Sequence, residues 1–144
     1  MSSKGSPVAS IQPRPPSAEG LFAPSNAWAG PALRTFFRIA DAWKLKSDEA
    51  RVILGRPPRS TYFHWKQTGE GQLSRDTLER ISYVLGIYKA LQILLPEPDA
   101  ADGWIRKPNS ASFLNGQSAL ERMLSGNVAD LYVIRQYLDA QRGG

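Results

Sequence analysis

Residues 74 to 95, SRDTLERISYVLGIYKALQILL, constrain the fold more than any other stretch of this chain. Leu78, Ile81, Leu85, Tyr88, Leu91 and Leu95 recur every three or four residues. That is the period of one face of an α-helix, whereas a strand would alternate every two. Ser74 stands where a helix begins, and Pro96 and Pro98 stop it. Such a helix is stable only when its apolar stripe is covered, so the neighbouring segments must supply helices that pack on it.

They carry the same signal. Leu33, Phe36, Phe37, Ala40 and Trp43 line one side of a helix expected to start near Pro31, a favoured first position. Ser47 is expected to cap a second helix, with Asp48 and Glu49 in its first turn, Ala50, Ile53 and Leu54 inward and Gly55 ending it. A third, short helix follows the Arg56-Pro57-Pro58 turn, runs to about Gln67 and closes at Gly69 and Gly71. After residue 96 the stretch EPDAADG turns acidic and reads as a loop, which places a boundary there. Ser118-Ala119-Leu120-Glu121 has the spacing of a capping box for a helix ending at Gly126. Asn127 is expected to cap a last helix with Val128, Leu131, Ile134 and Leu138 inward. No segment reads as a strong strand, so the expected class is all-α. Residues 1–27, rich in Ser, Pro and Gly as in PRPPSAEG, are expected to form a disordered tail.

Composition removes several functions. There is no cysteine and one histidine, so a disulfide scaffold, a thiolate metal site and a Cys nucleophile are excluded, and no metal is expected. No phosphate-binding loop or nucleophile motif appears, so no catalytic residue and no cofactor is assigned. The longest apolar runs are too short to cross a bilayer, and no apolar core follows the early lysine as in a secretory signal. A cytoplasmic protein with no membrane partner is therefore expected. The net charge of +5 is unevenly placed: residues 31–72 hold eight bases and four acids, and Arg51 to Lys66 hold four bases and no acid. Basic charge concentrated on one segment suits a polyanion partner.

That segment, LGRPPRSTYFHWK, sits on the two short helices joined by a tight turn, the pattern of a helix-turn-helix. Tyr62 and Trp65, three apart, share one face and are assigned to the core against Phe37, Ile53 and Leu54. Arg59, Ser60, Thr61, Phe63, His64 and Lys66 remain to meet double-stranded DNA. Arginine can read guanine with two hydrogen bonds, Ser and Thr can contact bases or phosphates, Phe63 can rest on a thymine methyl, and Lys66 can hold a phosphate. Arg51 and Arg56 are expected to add backbone contacts. The bland alternative is a helical bundle with a solvated basic side. The two prolines stiffen the turn and remove two donors. This kind of reading head commonly works as a dimer, and the stripe on residues 74–95 offers a surface for a homodimer, unless it is buried within one chain.

The last part, WIRKPNSASFLNGQSALERMLSGNVADLYVIRQYLDAQRGG, resembles the toxin-binding domain of the Xre/MbcA/ParS antitoxin family. Trp104, Pro108-Asn109, Phe113 with Gly116, the run Ser118 to Gly126 and the terminal helix into Gly143-Gly144 carry the resemblance. EARVILG followed by STYFHWK resembles the family's helix-turn-helix domain. The resemblance implies residues 28–95 as a DNA-binding and dimerising domain and residues 96–144 as a small helical toxin-binding domain. It implies an antitoxin rather than an enzyme. Its partner would be a RES-domain toxin that consumes NAD⁺, blocked at its active site by direct binding, and its DNA target the operator of its own operon. Trp104, Phe113 and Met123 can nucleate the domain's small core and stand among the expected toxin-binding residues. Tyr132, Arg135 and Arg142 are the expected polar and aromatic contacts, and the Gly143-Gly144 ending is narrow enough to enter a cleft. Two rivals stand beside this reading: a stand-alone helix-turn-helix regulator, and an enzyme using loop carboxylates such as Asp99 and Asp102.

Overall fold

The computed structural model describes residues 27 to 143. The expectation of a disordered tail falls outside them, apart from Ala27. Helix α1 spans Ala29–Ala42, α2 Ser47–Ile53, α3 Arg59–Thr68 and α4 Arg75–Leu94. They are followed by α5 at Pro98–Gly103, a 3₁₀ turn at Trp104–Arg106, α6 at Ala119–Met123 and α7 at Val128–Gln141. Among the described residues there is no strand, only an isolated antiparallel bridge between Pro108 and Ser118. The class is all-α: a helix-turn-helix half is followed by a second helical half.

Helix α4 is the axis, with α1, α5 and α7 packed around it. Ser74 caps it by accepting a hydrogen bond from the Thr77 amide at 3.1 Å. Being covered from several sides, α4 buries a wider arc than the expected stripe. Val84, Ile87 and Ala90 join Leu78, Ile81 and Leu91 in the core, while Leu85, Tyr88 and Leu95 are only partly covered. Most of the stripe considered for a homodimer is thus used within one chain. One continuous core joins the halves, from Ala29 and Leu33 on α1 to Ile134 and Leu138 on α7.

Several local expectations shift. Ser47 is the first helical residue of α2, not the residue before it. Lys46 occupies that position, and its amide donates to Glu49 Oε1 at 2.8 Å. EPDAADG is not a loop. Pro98 sits at the start of α5, and Ala101 is wholly buried where α5 packs on α4. Helix α6 does form the expected capping box: Ser118 Oγ accepts from the Glu121 amide at 3.1 Å, and Glu121 Oε1 accepts from the Ser118 amide at 2.8 Å. It ends at Met123, earlier than Gly126. Asn127 precedes α7, but its side chain makes no capping bond. Its amide is satisfied by Ser125 Oγ at 3.0 Å.

Candidate nucleic-acid and partner interfaces

Helix α3 presents two faces. Tyr62 and Trp65 are buried, and the Tyr62 ring meets Phe37 edge-on at 5.6 Å. Burial pushes the Tyr62 phenol above its ordinary 10.0; a hydrogen bond from Ser47 opposes this, and Asp41 and Asp48 reinforce it. Tyr62 is therefore neutral at physiological pH. Arg59, Ser60, Phe63, His64 and Lys66 are exposed, and Thr61 is half-buried. Gln67, which was not among the expected contacts, is exposed on the same helix.

The Arg59 guanidinium is prearranged. It lies over the Phe63 ring at 5.6 Å and pairs with Asp48 Oδ1 at 3.1 Å. Phe63 in turn stands edge-on against Tyr62 at 5.0 Å, so the core fixes the ring and the ring supports the arginine. Arg51 and Arg56 are differently placed. Arg51 Nη1 donates to the Pro57 carbonyl at 2.9 Å, and its Nε is buried, so it braces the turn from within. Arg56 has a left-handed backbone, φ 60°, and its guanidinium rests on Gly126.

A second surface lies on α7. Tyr132 is 45% exposed and stands edge-on to Tyr83 of α4 at 5.6 Å. Gln136 Nε2 donates to the Tyr132 hydroxyl, and the Tyr83 hydroxyl donates to Glu79 Oε2 at 2.9 Å. Arg135 lies across Gly86, where an added Cβ would come within 2.4 Å of its Nε, and it faces Asp139 at 3.5 Å. Together Tyr83, Tyr132, Arg135, Gln136 and Asp139 line an open cleft of about 530 Å³. Tyr83 was not among the expected contacts, since it belongs to the reading half of the sequence and only the fold brings it to Tyr132.

The other expected partner residues are spread out. Arg142 and Gly143 are exposed at the end of α7, with Arg142 Nη1 3.7 Å from Asp139. Gly144 lies outside the described residues. Phe113 is half-buried against Tyr137 at 5.0 Å, and Trp104 is half-buried beside the core. Met123 is only 1% exposed and lies in the core, as expected of a residue that nucleates the domain, so its side chain is not presented at the surface.

Asp130 fastens the start of α7. Its carboxylate accepts from Arg122 Nε at 2.8 Å, and Ser125 Oγ also donates to it. Burial by itself would raise its pKa. The hydrogen bonds from Ser125 and Arg122, with the guanidinium charge, outweigh burial and hold the carboxyl below its ordinary 3.8. A depressed folded value gives stability that is present above the unfolded pKa and lost as pH falls through the folded one. Asp130→Asn should therefore lower the melting temperature at pH 7. The gap from the parent chain should narrow below about pH 4, as thermal melts across pH will show.

Among the described residues no group of three or more His, Cys, Asp or Glu stands close enough to hold a metal ion. Among the described residues no helix is long and apolar enough to cross a membrane. Residues 29–86 match the model of the antitoxin Xre-like helix-turn-helix domain. Residues 90–144 match that of the antitoxin Xre/MbcA/ParS C-terminal toxin-binding domain. The chain is also similar to the protein y4oB of Sinorhizobium fredii, 55% identical over 112 residues that cover 78% of this chain and 84% of the relative.

Proposed function

Because the chain belongs to the Xre/MbcA/ParS antitoxin family, we propose that it neutralises a RES-domain toxin that degrades NAD⁺ and represses its own operon, in the cytoplasm. The observation that carries this reading is the pairing of two surfaces in one chain of that family. One is a basic, aromatic-backed outer face on α3. The other is a tyrosine–arginine cleft on α7, within the half that matches the toxin-binding domain.

Neutralisation needs only binding that closes the entrance of the toxin's active site. Tyr132, Arg135 and Arg142 supply the residue types that anchor protein interfaces. Trp104 and Phe113 contribute their exposed edges, and Gly143-Gly144 provide a narrow end that can enter a cleft. Repression uses Arg59, Ser60, Thr61, Phe63, His64 and Lys66 against the operator's major groove. Two heads, about 34 Å apart, would read a palindromic operator as a homodimer. The apolar groove between α1 and α4, where Trp28, Ala32 and Leu85 are only partly covered, and the exposed Ile93 of α4 offer surface for the second copy.

Co-expression with the product of the adjacent gene tests the reading. Growth should be rescued, the two proteins should co-purify, and cellular NAD⁺ should be held at its normal level. A neighbour that is harmless alone, or that does not co-purify, refutes the toxin assignment. A chain ending at Leu138 that restrains the toxin as well as the full chain does would remove the Arg142-Gly143-Gly144 end from the blocking role.

A further inference from the structure

Two turns separated by about half the length of the chain converge on one arginine. Arg80 rises from α4 with its side chain only 11% exposed, and its Nε is paired with Asp76 at 2.8 Å. Its Nη1 donates to the Gly126 carbonyl at 2.9 Å, in the turn between α6 and α7. The same nitrogen lies 3.5 Å from the Ile53 carbonyl, at the end of α2 where the helix-turn-helix turn begins. One charged group thus reaches a carbonyl in each turn, and that of Ile53, at the end of α2, is the kind of helix-end group that needs a partner when covered.

The glycines of these turns fit the arginines closely. Gly55 has φ 97° and Gly126 φ 84°, values that favour glycine over any side chain. A Cβ on Gly55 would come within 3.0 Å of Arg80 Nε, and one on Gly126 within 2.3 Å of Arg56 Nη1. Arg56, next to Gly55, adopts φ 60° although it is not glycine. A left-handed residue of this kind persists where its surroundings hold it. Here its amide donates to the Arg51 carbonyl at 2.9 Å, and its guanidinium reaches across to Gly126.

We propose that Arg56 and Arg80 are positioning residues that lock the helix-turn-helix turn to the α6–α7 turn at Gly126, so that a partner seated on α7 alters how α3 meets DNA. This rests on the two-surface function proposed above. Gly126 stands two residues before α7, next to Asn127, and Tyr132 and Arg135 lie in the helix's first two turns or so. A shift of α7 towards a bound partner moves Gly126. Through the two arginines it moves the turn that sets the pitch of α3. Arg56 therefore acts on DNA through the turn, not as a phosphate contact.

Residue-resolved hydrogen exchange on the full chain tests the joint without any partner. Gly126→Ala should speed exchange of the Gly55 and Arg56 amides about tenfold or more, while Ile134 and Leu138 keep their protection. Unchanged exchange at Gly55 and Arg56 overturns the joint. Should Gly126→Ala loosen the whole chain, Arg56→Ala is read instead at the Gly126 and Asn127 amides. Faster exchange there supports the joint, and no change overturns it.

Operator titrations with and without the co-purified toxin then test transmission. In the parent chain the toxin should change operator affinity at least about fivefold, and in Arg56→Ala less than about twofold. The salt slope of DNA binding should be the same for both chains, since no phosphate contact is removed. An equal toxin effect in both chains, no toxin effect in the parent, or a slope reduced by about one charge for Arg56→Ala overturns the proposal. A parent chain that captures no toxin refutes the proposed function instead, and the exchange measurement still decides the joint.

Discussion

Replacing Arg59 and Lys66 together by alanine should raise the operator Kd about a hundredfold and leave toxin capture unchanged. A bidentate arginine–guanine pair discriminates by about 1–3 kcal/mol, and a lost lysine–phosphate contact lowers the salt slope by about 0.9. A combined loss near 2.7 kcal/mol is two powers of ten in Kd. In the free chain Arg59 is occupied by Asp48, but both side chains are largely exposed, 63% and 78%. An exposed pair of this kind contributes at most about 1 kcal/mol and gives way readily to a base or a phosphate. Phe63 beneath the guanidinium keeps it extended over α3, so little freedom is lost when it docks. Neither side chain enters the core, so the melting curve should match the parent's. Anisotropy titrations at several salt concentrations measure the effect. Operator binding within about threefold of the parent would show that α3 does not read DNA through these residues.

The helices that carry strong local signals were legible in the sequence. Ser74 and Ser118 make the capping bonds their spacing implies, and the burial of Tyr62 and Trp65 follows from their three-residue separation. Such signals are written within a few residues of one another. What was not legible depends on the distant parts of the chain. α5 is short and acidic, and its helical state relies on Ala101 finding α4. Arg51 and Arg56 belong to the basic run, and nothing nearby says that one turns under Pro57 and the other reaches Gly126. Tyr83 joins Tyr132 only because α7 lies along α4. Charge and periodicity thus marked the basic face of α3, the family resemblance pointed to the C-terminal half, and tertiary packing selected which side chains reach each surface.

That selection gives the second large effect. Tyr132→Ala combined with Arg135→Ala should weaken toxin capture by a hundredfold or more and abolish growth rescue, with operator affinity in the absence of toxin held near the parent's. Tyrosine and arginine anchors often cost about 2 kcal/mol or more each when truncated, though such losses do not simply add. Both are prearranged here. Tyr132 is backed by Tyr83 and its hydroxyl is held by Gln136, while Arg135 is laid across Gly86 and faced by Asp139. Side chains fixed before contact lose less freedom on binding, which raises the share of their contact that appears as affinity. Gly86→Ala separates position from charge. A Cβ there would displace the Arg135 guanidinium without removing it, so capture should fall to a level between the parent and the double variant. A Gly86→Ala chain as competent as the parent, beside a double variant that fails, would assign the effect to the arginine's charge rather than its placement. A double variant that still neutralises fully would move the toxin contact away from the α7 cleft, towards the exposed edges of Trp104 and Phe113 and the end of the chain.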